Sequence, residues 1–197
     1  MGFLASLSRK VGNNLVQSNI VKEEDAEIYI YGINQILVAM LNVSSALIIG
    51  LIFGTFFEVA IFLAAYIPLR SFAGGYHAKT PLRCYIFSVI MLIIVSIGMK
   101  HLYIADWVYY VFLAVAALIM IILSPVEDKN KPLDEKEHKI YKKRAVIIFT
   151  VEFVICFVFK LVNLYSLFVA MVYSFIILAF MLITGQVKNR MLHSLKQ

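Results

Sequence analysis

The sequence predicts an all-α integral membrane protein, with six transmembrane helices plus an N-terminal amphipathic interfacial helix. Three observations lead there. Of the 197 residues, 62% are hydrophobic and only 15% are charged, whereas a soluble domain is about 45–50% apolar. Such a chain has too little polar surface to cover itself in water. The apolar residues gather into six runs, and Lys and Arg alternate in abundance across the gaps between them.

Residues 1–20 place Leu4, Leu7, Val11 and Leu15 at helical spacing, with Ser8, Arg9, Asn13 and Asn14 between them. That pattern describes a helix lying on a membrane surface rather than crossing it. The apolar runs follow at about 28–53, 56–69, 82–99, 107–123, 145–162 and 164–183. A crossing helix needs ~20 residues, so the second run must take in the helical residues after it. Thr80-Pro81 opens the third run as N-cap and first helical position. Ser124-Pro125 closes the fourth. The expected organisation is one domain over 1–197, with an amphipathic segment at 1–27, a six-span core at 28–184 and a tail at 185–197.

The basic residues test this arrangement. The N-terminal segment and the six gaps after it hold three, none, three, one, seven, one and three Lys/Arg in turn. Alternate segments therefore hold 16 against 2. Cytoplasmic loops carry the excess of Lys and Arg, so both termini, residues 70–84 and residues 124–144 are expected in the cytoplasm. The net charge of +6 then reflects topology and a lipid bilayer, with no nucleic acid partner. In a reducing compartment Cys84 is expected to be a free thiol.

The stretch RSFAGGYHAKTPLRCY, residues 70–85, concentrates reactive side chains between two apolar runs. Cys84 falls in the first turn of the third span, beside Arg83. A helix N-terminus and a neighbouring cation favour the nucleophilic thiolate. His77 precedes the cap on a loop made adjustable by Gly74-Gly75. A thiol with an imidazole nearby is a minimal activated nucleophile. Equally, a cysteine near a helix end can be a small packing residue and an interfacial histidine merely solvated. Spacing leaves both open. Cys156, deep in the fifth span among Ile and Phe, is expected to be inert.

Glu152 is an ionisable group inside a span, which is either functional or paired with a neighbouring helix. The fourth loop mixes seven basic with five acidic residues. It is either a solvated topogenic loop or a docking surface for an acidic peptide. With two cysteines in separate segments, no CxxC or CxxH spacing for a metal exists. Walker, HExxH and GxSxG motifs are also missing, so ATP-driven transport, zinc proteolysis and serine hydrolysis lack support, and no cofactor is implied.

Arg70, Gly74-Gly75, His77-Ala78 and Cys84, together with PVEDKNKPL at 125–133, resemble the accessory gene regulator B family of bacterial quorum-sensing systems. The resemblance covers essentially the whole chain. It implies a cysteine endopeptidase of the bacterial cell membrane that removes the C-terminal tail of a short propeptide through an acyl-thioester. Cyclisation to a thiolactone or lactone autoinducing peptide follows. It makes Cys84 the nucleophile and His77 its base, with Arg70 and Gly75 needed for activity and Lys129 and Lys131 handling the propeptide. It further implies a membrane-associated propeptide with an acidic tail as partner, and a homodimer. Gly74, Arg83 and Glu152 complete the supporting candidates. The rival readings are a non-enzymatic transporter, with Glu152 and the glycine loop lining its path, and a scaffold that binds peptide without cleaving it.

The charge partition sets a direct test of sidedness. Single cysteines placed at positions 79 and 136 should react with an impermeant maleimide only after cells are permeabilised. Labelling of either from outside intact cells would sink the six-span arrangement.

Overall fold

The computed structural model describes residues 2–76, 78, 80–102, 104–127 and 133–194, and within them every regular element is helical. The helices are α1 (Gly2–Gln17), α2 (Ala26–Phe53), α3 (Phe56–Ala73), α4 (Pro81–His101), α5 (Asp106–Leu123), α6 (Glu135–Leu161) and α7 (Tyr165–Ser194). Each apolar run has become a helix. The short second run does extend through Arg70 to Ala73, and Ser124 does end α5.

Five helical stretches are long and apolar enough to cross a membrane: Glu23–Phe53, Phe56–Ala73, Pro81–His101, Asp106–Leu123 and Tyr165–Met191. The six-span expectation thus meets five on length and composition. The exception is α6. It opens with the charge-rich EKEHKIYKKR and carries Glu152 and Lys160 further on. Its start also departs from expectation, since part of the anticipated loop is helical. Asp134 and Glu137 form a reciprocal capping box: Asp134 Oδ1 accepts from the Glu137 N–H (2.6 Å), and Glu137 Oε2 accepts from the Asp134 N–H (3.3 Å). At the other end α7 runs on to Ser194, because no proline or turn interrupts the expected tail.

α7 is the axis of the fold. Phe168, Val172, Phe175, Leu178 and Leu182 are almost completely buried. Around them pack Leu69 and Ala73 of α3, Leu113 and Met120 of α5, and Phe149 and Cys156 of α6. A second cluster joins Ala46 and Ile49 of α2, Val59 and Phe62 of α3, and Leu92 and Val95 of α4. α3 therefore belongs to both. The outward faces carry Ile48, Ile52, Phe57, Ile94, Leu118 and Ile122, all exposed. An apolar exterior of this kind suits hydrocarbon and would be costly in water.

Small residues set the closest helix approaches, as is usual where lipid replaces water. A Cβ on Gly50 would stand 3.1 Å from both Phe56 Cα and Val59 Cβ, so glycine there lets α2 and α3 close. Gly54 takes the left-handed conformation that ends α2 (φ 69°). α1 docks on α2 through buried Ser8 and Gly12, flanked by half-buried Leu4, Leu7 and Leu15, while Val11 stays exposed. A Cβ on Gly12 would meet Ile30 Cγ1 at 2.3 Å. The packed face is thus built on small residues, not on the leucine stripe alone.

At the end of the bundle formed by the start of α5 and the end of α6, Lys160 pairs with Asp106 (2.6 Å), and the Tyr165 hydroxyl donates to the same carboxylate (2.9 Å). Lys100 donates to the Phe53 carbonyl (2.7 Å). These are the two cations on the sparse side of the 16-to-2 partition, and both are engaged within the fold.

The glycine contacts yield a stability prediction. Gly50→Val should lower the thermal midpoint of the detergent-solubilised protein, because the new side chain meets backbone. Gly32→Ala should leave it unchanged or raise it, since a Cβ there meets nothing within 4 Å and Ala is the better helix former by about 1 kcal/mol.

Candidate functional site

The site begins where α3 ends. Gly74 (φ 73°) and Gly75 (φ 120°) occupy conformations that side-chain-bearing residues rarely adopt. They bring three backbones together. The Val126 N–H donates to Ala73 O (2.9 Å), the Gly75 N–H donates to Val126 O (3.2 Å), and the Tyr76 N–H donates to Met181 O on α7 (2.9 Å). Gly74 and Val126 thereby form an isolated parallel bridge.

No side chain fits at this crossing. A Cβ on Gly74 would stand 2.0 Å from Val126 O, and one on Gly75 would stand 2.8 Å from Met181 O. From the opposite side, a Cβ on Gly185 would stand 2.6 Å from the Gly75 carbonyl carbon. Gly185 was not singled out from the sequence. It lies at the start of the expected tail, between Thr184 and Gln186, where the sequence offers no local signal.

Arg70, in the last turn of α3, braces the loop. Its Nη1 donates to Gly74 O and its Nη2 to Tyr76 O. One planar fork holds two carbonyls, and the positive charge also suits a helix C-terminus. Arg70 is therefore a positioning residue for the segment that leads into His77. Tyr66, one turn earlier, was also missed, because an aromatic residue in a span looks like ordinary span material. Its ring stacks on Phe62 (5.5 Å between centroids, 13° between planes). It lines the cleft beside the loop together with Arg70 and Gly74.

Cys84 sits where the sequence placed it. Thr80 is the N-cap of α4, with its Oγ1 accepting from the Arg83 N–H (3.3 Å) and Pro81 following at the first helical position. Cys84 is in that first turn and exposed, whereas Cys156 is completely buried. Arg83 faces a groove of about 300 Å³ lined by Tyr76, Ile86, Phe87 and Ile90. Tyr76 packs on Phe87 (6.0 Å between centroids), and Lys188 of α7 lies 5.3 Å from the Tyr76 ring centre.

Beside the loop opens a cleft of about 370 Å³, lined by Tyr66, Arg70, Gly74, Val126, Glu127 and Tyr141 among others. Residues 70–76 and the segment after α5 thus meet directly, and Asn189 of α7 donates to Glu127 O (2.8 Å) to hold that segment. His77, Lys129 and Lys131 lie outside the described residues. Glu152 is buried in α6, its Oε2 has no hydrogen-bond partner among the described residues, and it does not line this cleft. No group of three or more metal-ligating side chains occurs among the described residues.

The fold and site define a helical protein of multi-pass membrane character, with an exposed thiol on a capped helix start beside a braced glycine loop. The family model for accessory gene regulator B matches residues 8–184, and the chain belongs to that family. Membership upholds the resemblance drawn from Arg70, the glycine pair and Cys84, and connects the chain with accessory gene regulator quorum sensing. AgrB-like protein 2 of Clostridium perfringens (strain 13 / Type A) is 28% identical over 153 residues, covering 74% of this chain and 70% of that protein. An AgrB-like protein of Listeria monocytogenes (serotype 4a, strain HCC23) is 25% identical over 147 residues, covering 73% and 72%. Accessory gene regulator protein B of Staphylococcus lugdunensis is 30% identical over 101 residues, covering 51% and 53%. No solved structure matches the chain.

The geometry makes Arg70 and Gly74 intolerant of small changes. Arg70→Lys keeps the charge but cannot bridge two carbonyls with one rigid fork, and Gly74→Ala drives a Cβ into backbone. Both variants should insert in the membrane yet show faster limited proteolysis between residues 73 and 80. Wild-type protection in Gly74→Ala would mean that the crossing is not formed.

Proposed function

We propose that this protein is a membrane cysteine endopeptidase that matures a quorum-sensing propeptide. The observation that carries the reading is Cys84: exposed, in the first turn of a capped helix, beside a loop fixed by Arg70, while Cys156 is buried. A buried thiol cannot reach a peptide, and a thiol at a helix N-terminus is suited to act as a nucleophile.

In the proposed reaction His77 accepts the proton of Cys84. Cys84 Sγ then bonds the carbonyl carbon that precedes the acidic tail of the propeptide. As the carbon–nitrogen bond breaks, His77 returns the proton to the leaving amine, and an acyl-thioester remains on Cys84. A propeptide cysteine gives its proton to His77 and attacks that thioester; the ring closes to a thiolactone as the bond to Cys84 Sγ breaks, and His77 returns the proton to Cys84. Where a hydroxyl replaces the propeptide thiol, the ring is a lactone. Exchange of one thioester for another is nearly isoenergetic, so excluding competing water matters more than driving force.

The propeptide is membrane-associated, and a site near the bilayer surface meets it already concentrated and oriented. In this reading α6 supplies the sixth span, the His77 and Lys129 loops share the cytoplasmic side, and the protein works as a homodimer. Lys129 and Lys131 attract the acidic tail, within a Debye length of about 8 Å at physiological salt. Glu152, set apart in α6, takes no part in the chemistry.

Purified protein incubated with its cognate propeptide gives the test. Cys84→Ala should abolish cleavage and His77→Ala should cut it severely, while Cys156→Ala should retain most activity. Mass spectrometry should find a hydroxylamine-sensitive adduct on Cys84. An adduct on another residue, or processing that persists in Cys84→Ala, would refute the assignment.

A further inference from the structure

A peptidase that makes one cut must choose one bond, and pockets beside the nucleophile make that choice. The groove of about 300 Å³ is lined by Tyr76, Ala78, Arg83, Ile86, Phe87 and Ile90. Tyr76 and Ala78 are the chain neighbours of His77, and Arg83 directly precedes Cys84. On α4 the residues Arg83, Ile86, Phe87 and Ile90 recur at i, i+3, i+4 and i+7, which makes them one stripe of the helix. At roughly 100° per residue, Cys84 falls on the edge of that stripe, one turn before Phe87. The larger cleft, of about 370 Å³, has no such link, since none of its lining residues belongs to α4.

The two ends of the groove differ in chemistry. Its wall is apolar and uncovered, with Ile86 and Ile90 each about half exposed. Its mouth is cationic: Arg83 is exposed, and Lys188 Nζ lies 5.3 Å from the centre of the Tyr76 ring. From Arg83 to Ile90 the helix rises about 10 Å, so the groove runs from the capped start of α4 down into the span. Small-molecule pockets occupy ~300–1,000 Å³, and this one, at the bottom of that range, suits a side chain rather than a whole peptide. We propose that the groove selects the scissile bond. It takes the large apolar side chain that precedes the bond, and Arg83 at its mouth pairs with the first carboxylate of the acidic tail that follows. The proposal rests on the peptidase reading above and names what that site recognises. An apolar residue next to an acidic one is held in a single register, because the first is stable at the depth of Ile90 and the second only at the level of Arg83. The peptide bond between them then lies at the height of Cys84.

Two measurements on the full-length protein in liposomes test this. The first is photo-crosslinking in a Cys84→Ala background, with a synthetic propeptide carrying p-benzoylphenylalanine immediately before the scissile bond. Adducts should map to residues 83–90. Arg83→Glu should lower their yield, and lysine in place of the first tail carboxylate should restore it. Adducts on residues 66–74 or 125–141, or on lipid only, overturn the proposal. The second uses the unaltered protein and compares propeptides with leucine and with alanine before the bond. The kcat/KM ratio should favour leucine by about tenfold or more, and should fall towards one in Ile90→Trp, which fills the groove. Ile90→Ala, which widens it, should shift preference towards tryptophan, and gives the readout if Ile90→Trp does not insert. An unchanged ratio in an inserted variant, including equal loss on both propeptides, overturns the proposal alone. Adducts at 83–90 with no cleavage by the unaltered protein overturn the peptidase reading while upholding the groove as the place where the peptide docks.

Discussion

The crossing of three backbones at Gly74 and Gly75 is the constraint on which the rest of the site depends. In a low-dielectric setting an unpaired peptide group costs several kcal/mol, so a loop at a membrane boundary must find partners for its N–H and C=O groups. This one finds them on Val126, on Met181 and on the Arg70 guanidinium. Each partner comes from a different part of the chain. The loop is consequently set by long-range contacts, and its two glycines are required because two other backbones occupy the space a Cβ would take.

From that crossing the geometry propagates outward. Tyr76 is pinned at its N–H by α7 and at its carbonyl by Arg70, and its ring rests on Phe87 of α4. The same segment that carries His77 is thus referenced to the helix that carries Cys84. Thr80 fixes the start of that helix through its own hydroxyl and carbonyl. Under the proposed function this is a division of labour: Cys84 is placed by secondary structure, and the segment that leads towards His77 is placed by tertiary contacts as far as Tyr76.

What was legible in the sequence was mostly local. Thr80-Pro81 named the start of α4, and Ser124 the end of α5, because capping chemistry acts within a turn of its own residue. The exposed and buried cysteines were told apart by their flanking residues. Less was legible where distant segments meet. Met181 and Gly185 carry no local sign that a loop over a hundred residues earlier will lie on them. Tyr66 was hidden by its resemblance to span material. The start of α6 was hidden differently: the Asp134–Glu137 signature was present, but the surrounding charge made the stretch read as loop. Charge also kept α6 outside the helices apolar enough to cross a membrane, so the expectation of a sixth span rests on the alternation of basic residues alone.

The central position of α7 has a consequence for biosynthesis. A ribosome delivers segments in order, and α7 follows the other six helices in the chain. Yet α7 supplies the carbonyl of Met181 that receives Tyr76, the gap at Gly185 that admits Gly75, and the Asn189 amide that holds Glu127. The glycine loop therefore lacks its seat while the earlier helices are already in the bilayer. With its seat in α7, the glycine loop cannot be assembled until the six helices before it have been made.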